Sequence, residues 1–206
     1  AFPISKDALF PDEFELVGSL EQVSTSFNKE VSSASPFLNT GVMIDSKVYT
    51  IKTNPVYKGK AKTLKDVLIN EKDVEDEFYL QRKDLKQWKY LKNSKQEERE
   101  TKDGFKYSYS EGSMIFPDNL AKASRTIITG EGGSGPSRFK HVIAPHSNTK
   151  KLRRLTPVEL ERLNMFPDDH TKLEHVSNTK RAFLMGNALV VGVVKKLGDS
   201  LYKFHE

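Results

Sequence analysis

Residues 186–198 read GNALVVGVVKKLG, and this stretch restricts the fold more than any other. Wound as a helix, it places Leu189, Val190, Val193, Val194 and Leu197 on one broad apolar face. Lys195 and Lys196 would complement its C-terminal dipole, and Gly198 would cap it. The rest of the chain offers little to bury such a face. Only 36% of its 206 residues are hydrophobic and 30% are charged. Average soluble domains run about 45–50% apolar with glycine counted, and about 25% charged. A helix this apolar, ending so polar a chain, calls for a large partner surface. No run approaches the roughly 18–20 apolar residues of a membrane span, and no charged-then-apolar signal peptide opens the sequence. A soluble, cytoplasmic protein is the expectation.

Upstream, the punctuation is sharp in places. In RRLTPVELERL (153–163), Thr156 reads as an N-cap, Pro157 as the first helical residue and Glu159 as the return half of a capping box. Pro167 then stops the helix, with Asp168-Asp169 in the following turn. GVMIDSKVYTIKT (41–53) reads as two β-prone runs around Asp45-Ser46. TLKDVLI (63–69) reads as a short helix capped by Thr63. DEFELVGSLEQVSTSF (12–27) reads as a weak helix. Leu85, Trp88 and Leu91 form a narrow helical stripe, KQEERETKDG (95–104) reads as a solvated end or mobile loop, and FKYSYSEG (105–112) alternates like a strand.

Charge is uneven. Residues 1–50 sum to −4 and residues 51–206 to +9, within a total of +5. An acidic head on a basic body suggests a polyanionic partner, although a solvated lysine-rich surface has the same signature.

SRTIITGEGGSGPSRFKHVIAP (124–145) reads as strand, glycine loop, strand. Gly130, Gly132 and Gly135 fall at the G-x-G-x-x-G spacing of a dinucleotide-binding turn. The context required by that motif is missing. No helix follows Pro136, and about 20 residues on, where an acidic ribose partner belongs, stands Leu155. A Walker-type Gly-Lys-Ser/Thr is also absent. What remains is a loop flanked by Arg125, Arg138, Lys140 and His141, with hydroxyls at Thr126, Thr129, Ser134 and Ser137. Cations and hydroxyls on a glycine-rich loop suit a nucleic-acid groove, and an ordinary exposed hairpin has the same pattern.

Two stretches carry a resemblance. Arg153, Leu155, Thr156, Glu159, Arg162, Leu163, Phe166 and Pro167 fit Arg-x-Leu-Thr-x-x-Glu-x-x-Arg-Leu-x-x-Phe-Pro, and Gly186-Asn187-Ala188-Leu189 follows downstream. In this order they resemble the ninth and tenth motifs of bacterial DNA (cytosine-5)-methyltransferases of restriction-modification type. SPFLNTGVM, TLKDVL and SRTIITGEGG resemble that family's linker and variable target-recognition region, with Thr126-Ile127 as its recurrent Thr-Ile/Leu/Val element. The departures are Asn164-Met165, where the family has Gln-Gly, and Leu184, where it has Gln.

The resemblance implies an α+β fold. A small mixed β-sheet recognition domain with peripheral helices would span 1–178, with the ninth motif at 153–167. A tenth-motif segment and C-terminal helix over 179–206 would pack on a Rossmann-like methyltransferase domain missing from this chain. It further implies that Gly186, Asn187 and Ala188 wall the S-adenosylmethionine (SAM) site, with Asn187 near a helix N-terminus. Arg125, Thr126, Thr129, Ser134, Ser137, Arg138, Lys140 and His141 would face double-stranded DNA. Arg153, Thr156, Glu159, Arg162 and Pro167 would brace the recognition domain, with an Arg162–Glu159 pair. The family's nucleophile is a cysteine, and this chain has none. No catalytic residue is therefore assigned, and an N-terminal catalytic half is the implied partner. The five histidines lack metal-ligand spacing, so no metal is assigned. A DNA-binding specificity protein without a methyltransferase partner is the alternative.

Overall fold

The computed structural model describes residues 12–26, 37–54, 56, 58–145 and 151–203. It forms two compact units, Ala1–Lys60 and Ala61–Glu206. The 178/179 boundary expected from sequence therefore falls inside the second unit.

In the first unit, β1 (Asp12–Glu15), β2 (Thr40–Ile44) and β3 (Lys47–Ile51) form an antiparallel sheet in the order β1-β3-β2. Asp45 and Ser46 take φ of 48° and 65°, the doubly left-handed geometry of a two-residue hairpin turn, and Ile44 faces Lys47 across it. The expected helix over 12–27 is half strand. Phe14 pairs with Val48 and packs edge-on against Phe37, a sheet contact that outweighs weak helical propensity. The helical half survives as α1 (Leu20–Ser26), which starts just beyond Gly18 (φ 110°). Ser19 and Gln22 close it reciprocally: Ser19 N–H donates to Gln22 Oε1 (2.8 Å) and Gln22 N–H to Ser19 Oγ (3.3 Å).

The second unit opens with a run of 3-10 turns. The first, Leu64–Val67, is a single turn where a helix was expected, although Thr63 and Asp66 form the expected cap. α2 (Leu85–Lys92) buries Trp88 against Val142 and Leu152, as its apolar stripe predicts. Residues 95–100, expected as a mobile tail, are strand β4 (Lys95–Glu100), paired with β5 (Lys106–Glu111) in a two-stranded ribbon. Cross-strand pairs offset the heavy charge, and the Arg99 guanidinium lies 3.6 Å from the Tyr109 ring centroid.

The described residues of this stretch, 112–145 and 151–156, hold no helix or paired strand, yet they are built into the core. Arg153 bridges to both Tyr79 and Ile143, so three extended segments run side by side. α3 (Pro157–Leu163), α4 (Asn178–Asn187) and α5 (Val191–Tyr202) complete the unit. Leu64, Val67, Ile143, Leu155, Leu160, Ala182 and Met185 form its larger core.

The single helix expected at 186–198 is thus two helices joined by the extended residues Ala188–Val190. Asn187 is the last residue of α4, not near a helix N-terminus. Gly198 lies inside α5 and caps nothing, and Lys195 pairs with Asp199 one turn on (2.7 Å). No residue of α5 is buried. Among the described residues, no helix is long and apolar enough to cross a membrane.

Candidate functional site

The glycine loop presents carbonyls inward. Lys140 Nζ donates to the carbonyls of Gly133 and Gly135, each at 2.7 Å. Arg154 Nη1 donates to those of Gly132 (3.0 Å) and Gly133 (3.3 Å), while its Nη2 reaches Glu77 O. A phosphate loop does the opposite, turning amides toward an anion. Burial holds the Lys140 and Arg154 pKa values below their ordinary ranges. The dinucleotide reading, already excluded by context, is therefore excluded by polarity as well.

The cations expected to face a groove are turned inward. Arg125 forks onto Asp118 (2.8 and 3.1 Å) and donates to the carbonyls of Phe139 and Lys140. Burial alone would raise the Asp118 pKa, but the Arg125 guanidinium and the Val142 amide hold it below the usual carboxylate range. Arg138 donates to the carbonyls of Leu91, Asn93 and Gly112, and pairs with Glu111 (3.1 Å). His141 is fully buried between Glu131 (Nδ1–Oε1 2.8 Å) and Ser124 (Nε2–Oγ 3.0 Å). That series has the order of a nucleophile, a base and an acid, but Ser124 Oγ donates to the Arg125 carbonyl (2.8 Å), so its proton serves the loop. Thr126, Thr129 and Ser134 remain exposed, and Ser137 is half-buried.

Lys92 lies under the same loop, its ammonium donating to the Lys140 carbonyl. Burial, reinforced by Arg125 and Arg138 against Asp118 and Glu131, lowers its pKa to about 8. The charged form is thus disfavoured by folding. The penalty is complete below pH 8 and fades as pH rises from 8 toward the ordinary value of 10.5. Lys92→Met should stabilise the protein at pH 7 by up to about 3 kcal/mol, since Arg125 still serves the Lys140 carbonyl. Urea titrations at pH 7 and pH 10 should show the advantage shrinking at the higher pH. Equal advantages would refute this account.

The ninth-motif residues form one buried network. Thr156 and Glu159 make the expected capping box (Thr156 N–H to Glu159 Oε2, 2.8 Å; Glu159 N–H to Thr156 Oγ1, 3.3 Å). Glu159 pairs with Arg153, at 2.8 and 2.9 Å, instead of Arg162, and also accepts from Ile69 N–H (3.1 Å). Arg153 also forks onto Glu71. Burial opposes the Arg153 charge, but Glu159 and Glu71 outweigh it and raise its pKa. Arg162 pairs with Asp168 (2.6 and 2.7 Å) and donates to the carbonyls of Val67 and Leu68. It clamps the helix to the turn beyond Pro167. Asp169 pairs with Arg181 (2.9 Å), so neither carboxylate of the expected turn forms a catalytic pair. Asn164 Nδ2 donates to Met185 O (2.8 Å) and Asn164 O accepts from Val191 N–H (3.0 Å), joining the ends of α3 and α4 to the start of α5. Met165, at the position of the family's glycine, has φ of 63°, a conformation that glycine adopts without strain.

The tenth-motif residues separate in role. A Cβ on Gly186 would lie 2.5 Å from Thr129 N and Cα, and one on Gly132 would lie 2.7 Å from Thr179 Cα. These two glycines let the glycine loop lie against α4 backbone to backbone. Asn187 is exposed, with Nδ2 capping Phe183 O (2.9 Å). A pocket of about 380 Å³ brings Ser124, Arg125, Thr126 and Ile127 against Gly186, Ala188 and Leu189. In the sequence these stand as two sites about sixty residues apart, and the fold makes them one wall.

This chain belongs to the C-5 cytosine-specific DNA methylase family, whose pattern it matches over residues 10–203. It is 39% identical over 167 residues to the Type II methyltransferase M.Sau3AI of Staphylococcus aureus, a match covering 81% of this chain and 38% of that protein. The chain thus corresponds to well under half of that relative's length. The S. pombe Dnmt2 methyltransferase structure superposes with a TM-score of 0.49 at 16% identity, covering 76% of this chain and 50% of that one. Among the described residues, no group of three or more His, Asp or Glu is placed to hold a metal.

Proposed function

We propose that this chain is the target-recognition and C-terminal part of a DNA (cytosine-5)-methyltransferase, inactive alone and completed by an N-terminal catalytic half. The family match over residues 10–203, in a chain with no cysteine to act as nucleophile, is the observation that carries the reading. SAM, when bound, supplies the methyl group. Asn187 and Ala188 would wall its site, since Asn187 is exposed and Ala188 lines the pocket. Gly186 supports that wall from behind by admitting the Thr129 backbone. Thr126, Thr129, Ser134 and Ser137 would contact DNA, while Arg125, Arg138, Lys140 and His141 hold the loop that presents them. The α5 face would pack on the Rossmann-like domain of the catalytic half. Its Leu189 flank and Leu197 are 74% and 61% exposed, which supports a missing apolar partner.

Mixing this chain with a catalytic half bearing the cysteine and SAM motifs should transfer labelled methyl from SAM to duplex DNA, and neither part alone should do so. DNA binding with no transfer in any mixture would select the specificity-protein alternative. The isolated chain should also self-associate through α5. A clean monomer at high concentration in size-exclusion chromatography would count against the exposed face.

A further inference from the structure

Phe139 is 52% exposed although both its neighbours are locked. Arg138 is held by the carbonyls of Leu91, Asn93 and Gly112, and Lys140 by those of Gly133 and Gly135. The Phe139 carbonyl accepts from Arg125 (2.8 Å), and that of Lys140 from Lys92. The Arg138 guanidinium stands 5.9 Å from the ring centroid. An apolar ring is thus held out on a backbone clamped from both sides, in the loop that also exposes Ser134.

We propose that Phe139 inserts into the base stack when this surface meets duplex DNA. The proposal rests on the DNA reading above and names the residue that would deform the duplex. Apolar side chains wedged between base steps unstack them, and enzymes that act on a base must extrude it from the helix. A wedge has to be rigidly backed, and the hydrogen bonds on either side of Phe139 supply that backing. Charge favours DNA over a protein surface. α2, whose last carbonyls hold Arg138, also exposes Arg82 at its approach and Lys86 and Lys89 along its length. A second pair of exposed aromatics, Phe105 and Tyr107 on the β4–β5 ribbon, stacks on itself (6.5 Å), and the ribbon carries more carboxylates than cations.

The test uses the full-length enzyme and a duplex that it methylates, with 2-aminopurine at the base step beside the target cytosine. Wild type should brighten the probe by unstacking it. Phe139→Ala should abolish the brightening and weaken binding by about 5- to 100-fold, the worth of one aromatic–base stack. Phe139→Leu, still a wedge, should keep most of both effects. Weaker binding with unchanged fluorescence would assign Phe139 to positioning only and overturn the proposal. A lower melting temperature of the free Phe139→Ala enzyme with normal fluorescence would place the ring inside the protein and overturn it equally. A full-length enzyme that methylated no duplex would overturn the DNA reading itself, and the wedge with it.

Discussion

Arg153→Ala should destabilise the fold by about 3–5 kcal/mol, the largest loss expected from removing one charge. Arg153 is fully buried and its guanidinium reaches two carboxylates from different parts of the chain, Glu71 and Glu159, as well as the Arg154 carbonyl. Its backbone exchanges hydrogen bonds with Ile143 (2.8 and 3.0 Å), and the next amide serves Phe78 O. Removing the side chain leaves Glu159 charged and buried. Trp88, the lone tryptophan, packs with Leu152 beside this network, so its fluorescence reports urea unfolding directly. A second variant separates charge from shape. Arg153→Met combined with Glu71→Gln and Glu159→Gln removes all three charges, although the one amide oxygen then at position 159 can accept from the Ile69 or the Thr156 N–H but not from both. It should recover part of the loss. Equal instability of both variants would show that the cost is packing.

Gly186→Ala should cost about 3 kcal/mol or more, because the added carbon would overlap backbone that cannot rotate aside. It would meet Thr129 N and Cα at 2.5 Å and Ile128 C at 2.6 Å. Gly132→Ala should behave alike, meeting Thr179 O and Ala182 Cβ at 2.9 Å. Gly198→Ala, with nothing within 4 Å and a place inside α5, should instead stabilise by about 0.5–1 kcal/mol. Thermal melts of the three variants should give two losses and one gain. In the full enzyme, Gly186→Ala should raise the KM for SAM if the loop and the cofactor wall move together, and an unchanged KM would separate them.

Local signals carried much of the fold. The capping box at Thr156, the Asp45-Ser46 turn and the Trp88 stripe are decided by neighbours within a few residues, and all three stand as expected. The failures lie where distant partners decide. KQEERE looks like a solvated tail until Tyr107 and Tyr109 pair across from it. The break between α4 and α5 is held by Asn164, more than twenty residues away, and no signal within GNALVV announces it. The same limit applies to the site. Arg125, Arg138, Lys140 and His141 have the composition of a groove-binding set, and only their partners reveal that they hold a loop. Family likeness located the segments, while side-chain direction came from the fold.

Lys92 gives this protein an internal label for its own opening. Amines react with acylating reagents only when neutral, and burial makes the Lys92 amine easier to neutralise than an ordinary lysine's. Yet the side chain is buried beneath the glycine loop and out of a reagent's reach. Brief acetylation at pH 8 should therefore mark the surface lysines and spare Lys92. Its later modification, followed by mass spectrometry, would time how often the loop lifts away from α2 and whether a bound duplex holds it shut.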